Sequence, residues 1–305
     1  MAIAAQVVRR LPLRWRRGAD AALDLPAHLR AASGLAWLDD RLVVVCDDML
    51  FIGVIDPATG LVDDVVLPSD GARTFDGPRG NKAGKPDFEA TFALAGELWA
   101  VGSGGPLPAR QVVARWRPGA APTIVAVPAL MATLAAALVP DGGALNLEGA
   151  AVVGDEIWLA NRGGDVFAGG VTADAIVRLP AAAWLAAIEG DVAALPAPTR
   201  YDLGVLDGAA LRFTELAVRG TEIAYLAVAE RTTSFYDDGV VLGSVLGVLG
   251  HAPGPILDEA GAPLVAKLEG LAFVPGAADR AFAVDDADDP DQPATLFELR
   301  VDDRA

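Results

Sequence analysis

Five residues recur at the head of one short apolar phrase: Ser33, Glu89, Glu148, Thr214 and Glu269, spaced 56, 59, 66 and 55 residues apart. All five carry oxygen donors and three are carboxylates. Brought together by a fold, three carboxylates raise one another's pKa unless a cation stands between them. A donor set with no nitrogen or sulfur suits a hard cation, Ca²⁺ first among them. The same residues also read as a wet polar channel with partly protonated glutamates. Glu215 follows Thr214 where the other phrases have Gly or Ala, and strand alternation turns it away from Thr214.

A second set of charged residues falls in the segments flanking those phrases. The stretch Arg73–Lys85 carries four of the chain's 24 basic residues and ends four positions ahead of Glu89. Arg162 lies in Asn161-Arg162-Gly163-Gly164, and Arg231 follows Glu230. Lys85, Arg162 and Arg231 are therefore candidate anion-binding groups, since a guanidinium pairs bidentately with phosphate or carboxylate. Asp47, Asp48, Asp285, Asp286 and Asp288 supply an acidic counterpart. Within it, Asp47 and Asp286 are candidate catalytic groups that orient a water as general base. Structural salt bridges for the arginines and a solvated turn for Asp285–Asp289 are the plainer readings. The glycine pairs make no Walker motif and read as turns.

Positioning these residues requires five copies of one element. Ser33-Gly-Leu-Ala-Trp, Glu89-Ala-Thr-Phe-Ala, Glu148-Gly-Ala-Ala-Val, Thr214-Glu-Leu-Ala-Val and Glu269-Gly-Leu-Ala-Phe each lead, through a turn, into a second apolar strand. A third strand follows at 50–55, 111–116, 175–179, 240–248 and 294–301. About four short antiparallel strands per ~60-residue unit make a propeller blade. The expected fold is all-β: a five-bladed β-propeller forming a single domain over 1–305. The last unit stops after its third strand, and the segment 5–13 has no unit of its own. It is expected to supply the missing outer strand and close the ring, which removes exposed edges. Two Ala/Leu-rich inserts, 129–139 and 180–195, read as short helices that cover apolar surface.

The order Ser33, Glu89, Glu148, a hydroxyl at Thr214, and Glu269 resembles the calcium-activated nucleotidases, the apyrases. That resemblance covers the repeat skeleton across nearly the whole chain. It implies an axial Ca²⁺ held by these five side chains and hydrolysis of nucleoside di- and triphosphates. The Glu-Gly-(Leu/Ala)-Ala phrase at Glu148 and Glu269 is also similar to phytase-like and regucalcin-like propellers. Thr214 stands where apyrases have Ser, and their longer catalytic segments have no counterpart. Lys-Pro-Asp-Phe-Glu-Ala and Asn-Leu-Glu-Gly point to a separate bacterial branch.

Composition narrows the partners. With 24 Lys+Arg against 41 Asp+Glu, the net charge of −17 repels duplex nucleic acid and anionic membranes. A small anion met by a local basic patch remains compatible with it. One cysteine, Cys46, excludes an intrachain disulfide and reads as a small buried hydrophobe; two histidines are too few for a His-rich metal site. The apolar stretch 120–140 is broken by Pro122 and Pro128, and the basic N-terminus has no apolar segment behind it, so the expectation is a cytoplasmic protein. Two functions fit: a Ca²⁺-dependent hydrolase of a small phosphate- or carboxylate-bearing substrate, or a non-catalytic propeller in which the ion staples the repeats and the mouth binds a ligand or protein.

Overall fold

Four of the repeat hairpins turn on two residues, Asp39-Asp40, Ala95-Gly96, Gly154-Asp155 and Gly220-Thr221. The first residue of each pair is left-handed, with φ of 55°, 53°, 64° and 61°. That conformation matches the right-handed twist of the flanking strands, so each phrase folds back as a tight antiparallel pair. The computed structural model describes residues 2–164, 173–231 and 239–304.

The chain opens with β1 (Ala2–Pro12) and β2 (Arg14–Trp15). The first repeat forms β3 (Ala32–Leu38), β4 (Arg41–Cys46), β5 (Phe51–Ile55) and β6 (Leu61–Val66), with β2 added in parallel to β6. The second forms β7 (Phe88–Leu94), β8 (Glu97–Gly102), β9 (Val112–Trp116) and β10 (Thr123–Ala126). The third forms β11 (Leu147–Val153), β12 (Glu156–Asn161), β13 (Asp174–Pro180) and β14 (Thr199–Tyr201). The remainder supplies β15 (Val205–Leu206), β16 (Ala209–Arg219), β17 (Glu222–Arg231), β18 (Val240–Val248), β19 (Gly254–Leu257), β20 (Leu268–Phe273), β21 (Arg280–Asp285) and β22 (Thr295–Arg304). β1 lies between β22, which it pairs antiparallel from Ile3↔Asp303 to Pro12↔Thr295, and β19, which it meets in parallel at Ala5↔Ile256 and Gln6↔Leu257. The first segment of the chain is thus built into the same nine-stranded sheet as the last.

This is an all-β, propeller-like fold. The first strands of the repeats are neighbours in the order β3, β7, β11, β16, β20 and again β3. Apolar layers fill the spaces between adjoining sheets. Val43, Val45 and Ile52 meet Leu98 and Ala100, whereas Phe282, Val284 and Leu296 meet Leu35, Val44 and Phe51. At β3, β11 and β20 the approach is so close that a Cβ on Gly34, Gly149 or Gly270 would lie within 3 Å of atoms of the neighbouring first strand. Glycine is needed at those places because the strands touch there.

Both inserts are helical. α1 (Pro128–Leu138) begins with its proline in the first turn, where no N–H is needed. α2 (Ala181–Ile188) buries Trp184 against Phe92 and Trp99. It is shorter than the 180–195 expected: Gly190, at φ 97°, ends it, and the remainder packs Val192 and Leu195 against the core without helical structure. No helix among the described residues is long and apolar enough to cross a membrane.

Candidate functional site

A β-bulge recurs at the same place in all five repeats. Pairing of the first and second strands shifts register between Ala32 and Gly34, Phe88 and Ala90, Leu147 and Gly149, Phe213 and Glu215, and Leu268 and Gly270. The unpaired extra residues are Ser33, Glu89, Glu148, Thr214 and Glu269. A bulge frees one residue from the ladder and re-aims its side chain. The five residues singled out by spacing therefore share one backbone geometry, and all five are buried.

Their side chains are engaged differently. Ser33 Oγ donates to the Phe88 carbonyl, and Thr214 Oγ1 donates to the Leu268 carbonyl at 2.7 Å, so each hydroxyl ties its repeat to the next. Glu148 accepts from Asn146 Nδ2 at 2.6 Å and lies 3.4 Å from Arg162 Nη1. Glu269 pairs with Lys267 at 3.1 Å. Glu89 alone among the five has a fully buried oxygen, Oε2, with no partner. Burial, then the Glu148 and Glu269 carboxylates, push Glu89 well above the usual range. Glu269 is raised by burial and Asp286 against the pull of Lys267, and Glu148 by burial against Arg162. Glu89 thus feels the charge of both other ring glutamates, and Glu269 that of Glu148.

A second tier sits above. The N–H groups of Asp47, Ser103, Arg162 and Asp286 donate to the carbonyls of Ala31, Asp87, Asn146 and Lys267, each two residues ahead of a bulge. Register places Val228 at the equivalent position of the fourth repeat. Arg231 is three residues further along β17, exposed, with its guanidinium donating to the Asp207 carbonyl. Arg162 instead is drawn in, bridging Glu148 of its own repeat and Glu230 of the next. Lys85 is buried between Asp47 Oδ2 at 2.5 Å and Asp87 Oδ1 at 2.7 Å. The basic and acidic groups are interleaved as ion pairs.

Asp87 and Lys267 are the residues the sequence reading missed. Each stands two positions ahead of a ring glutamate, a signal visible once the repeats are aligned. Asp87 is held by Ser103 Oγ at 2.5 Å and Arg110 at 3.0 Å as well as by Lys85. Although burial opposes it, Lys85 and Arg110 keep this carboxyl below the ordinary range. Lys267 also reaches Asp288 at 3.3 Å and Asp286 at 3.7 Å. Asp286 is pushed up to about 6 by burial, Asp285 to about 7 by burial, and Asp48 to about 8 by burial and Asp47. Ligand atoms of Asp47, Asp87 and Glu89 all lie within 4.8 Å of one another, close enough to share one cation.

Beneath the ring lies Glu215, fully buried. The bulge at Thr214 cancels the alternation that would turn Glu215 away. Its Oε1 accepts from the Leu216 and Ala150 N–H groups at 2.9 and 3.2 Å, while its Oε2 is buried without a hydrogen-bond partner. First strands present one edge with no strand beside it, and this side chain satisfies edge donors from the third and fourth repeats. Cys46, as expected, is buried, and burial pushes its thiol up.

A β-propeller-like protein with a charged, buried cluster at the heads of its first strands is the class this geometry defines. Over residues 28–301 the chain matches a family of unknown function (DUF6929), and it belongs to that family. No curated protein matches it significantly. Among solved structures it is similar to Myxococcus xanthus glutaminyl cyclase, with 14% identity, 99% of this chain and 97% of that chain covered, and a TM-score of 0.51. It is also similar to a mannose phosphorylase from Leishmania mexicana (10% identity, 96% and 88% covered, TM-score 0.48) and to virginiamycin B lyase from Staphylococcus aureus (9%, 98% and 99%, 0.41).

Proposed function

We propose that the protein is a single-domain, five-bladed propeller closed by β1 that binds a hard divalent cation, Ca²⁺, at the mouth formed by its five bulged residues. One observation carries this reading: buried negative charge exceeds the positive charge available to meet it. Asp47, Asp87, Glu89, Glu148, Glu230, Glu269 and Asp286, all buried or half-buried, gather around Lys85, Arg110, Arg162 and Lys267, seven carboxylates to four cations. Buried like charges without compensation are costly, and burial already drives several of these acids toward the neutral form. A divalent ion offsets that excess. Glu89 contributes the free oxygen, Glu148 and Glu269 the neighbouring charge, and Ser33 and Thr214 the hydroxyl frame. The pairing of β1 with both β22 and β19 supports closure, and the cyclic adjacency of the five first strands supports the blade number.

The ligand in this reading is a small phosphate- or carboxylate-bearing molecule approaching the ion, with Arg162, Lys85 and Arg231 supplying positive charge and Asp47 or Asp286 placed to orient a water. The likeness to apyrases rests on the ring residues and the repeat skeleton. That Lys85 and Arg162 are already held by carboxylates favours the second function, an ion that staples the repeats of a ligand-binding, non-catalytic scaffold. Turnover assays on phosphoanhydrides, phosphoesters and lactones, with Ca²⁺ and with chelator, separate the two. Ca²⁺-dependent turnover abolished in D286N supports the hydrolase, and no turnover with retained Ca²⁺ binding supports the scaffold.

A further inference from the structure

The cation reading leaves open where the ion sits, and the side chains between the first and second repeats favour a place off the axis. Asp47 follows β4 and Asp87 precedes β7, and the Asp87 N–H donates to the Asp47 carbonyl at 3.1 Å, which pins the two backbones together. Their carboxylates and that of Glu89 lie within 4.8 Å of one another. The Lys85 ammonium already sits there, 2.5 Å from Asp47 Oδ2 and 2.7 Å from Asp87 Oδ1. Ser103 and Arg110 occupy Asp87 Oδ2 and so orient Oδ1 toward the lysine. The third member, Glu89, is only 8% exposed, and its Oε2 has no partner at all. One ammonium satisfies two of three carboxylates.

We propose that Asp47, Asp87 and Glu89 form a cation-exchange site in which a divalent cation displaces the Lys85 ammonium and gains the Glu89 oxygen that the lysine leaves unmet. Two aspartates and a glutamate, with no nitrogen or sulfur, suit Ca²⁺ or a similar hard ion. Lys85 can withdraw because the segment ahead of it, 77–84, is exposed apart from the half-buried Asn81, and Gly84 directly precedes the lysine. The other ring glutamates are less available: Glu148 is tied to Asn146 and Arg162, and Glu269 to Lys267. The proposal rests on cation binding at the mouth and goes beyond it by naming Asp87 as a ligand and Lys85 as a competitor.

Calorimetric titration of chelator-treated protein with CaCl₂ alone tests it on wild type, E89Q, K85M and E148Q. E89Q should lose at least ~10-fold in affinity, and E148Q should lose less. K85M should bind about 10-fold more tightly, since no ammonium has to leave, and its Tm should gain more from Ca²⁺ than the wild-type Tm does. An E148Q loss as large as that of E89Q, or a K85M affinity equal to or below wild type, overturns the exchange site while leaving cation binding intact. If K85M does not fold, the E89Q and E148Q comparison decides alone. Wild type that binds no Ca²⁺ overturns both readings.

Discussion

Replacing Glu215 should separate the axial strut from everything above it. Its carboxyl holds the Ala150 and Leu216 N–H groups in a fully buried place. Glu215→Ala leaves those donors buried without an acceptor, and each unmet donor costs ~1–3 kcal/mol. The void left by the side chain adds a cavity penalty. Relief of the desolvated carboxyl acts in the other direction. The net expected loss is about 3–5 kcal/mol. Glu215→Gln keeps an acceptor oxygen at nearly the same volume and should stay within about 1 kcal/mol of wild type. Urea denaturation in chelator, comparing midpoints and slopes for the three proteins, reads both effects. Formate in the buffer should restore part of the alanine variant's stability, since the freed N–H groups can donate to a small carboxylate that enters the void. An alanine variant within 1 kcal/mol of wild type, or a glutamine variant as damaged as the alanine one, refutes the strut.

Other consequences concern charge and closure. Asp48, Asp285 and Asp286, raised to about 8, 7 and 6 chiefly by burial, bind protons more tightly folded than unfolded. Their contribution is complete below the unfolded carboxylate pKa of ~4 and is lost as pH rises through ~6–8. The chelated protein should therefore gain stability as pH falls across that window, by up to about 1.4 kcal/mol per pH unit for each titrating group. Urea midpoints that rise with pH there contradict this. Arg162→Met strands Glu148 and Glu230 and should cost ~3–5 kcal/mol, with E148Q in the same chain recovering part; a loss under 1 kcal/mol, or strict additivity, opposes a coupled ion pair. Deleting residues 1–13 uncovers β19 and β22 and should cause aggregation in light scattering; a monodisperse truncation of unchanged stability argues against closure by β1.

How far the sequence carried depends on what kind of signal each residue leaves. The repeat phrase, its two-residue turns and the places of β1 and α1 were legible because strand period, turn chemistry and proline position are local. The ring was legible because Ser33, Glu89, Glu148, Thr214 and Glu269 break the apolar pattern at a constant place. The bulge beneath them was not, since one extra residue leaves no mark in composition, and it decides that Glu215 turns inward. The pairing of Lys85 with Asp47 and Asp87, and of Lys267 with Glu269, joins residues from different strands and loops. A count of charges around the mouth shows an acidic excess but not which oxygen is left unmet. The end of α2 was missed because Ala and Leu continue past Gly190, which stops the helix at Ile188.

Calcium titration of chelator-treated wild-type protein by calorimetry, with Tm followed in parallel, tests cation binding at the mouth most directly. The expected result is saturable binding and a Tm that rises with free Ca²⁺ as RT ln(1 + [L]/Kd) requires, with both reduced in E89Q. No heat of binding and a Tm indifferent to both Ca²⁺ and chelator would contradict it.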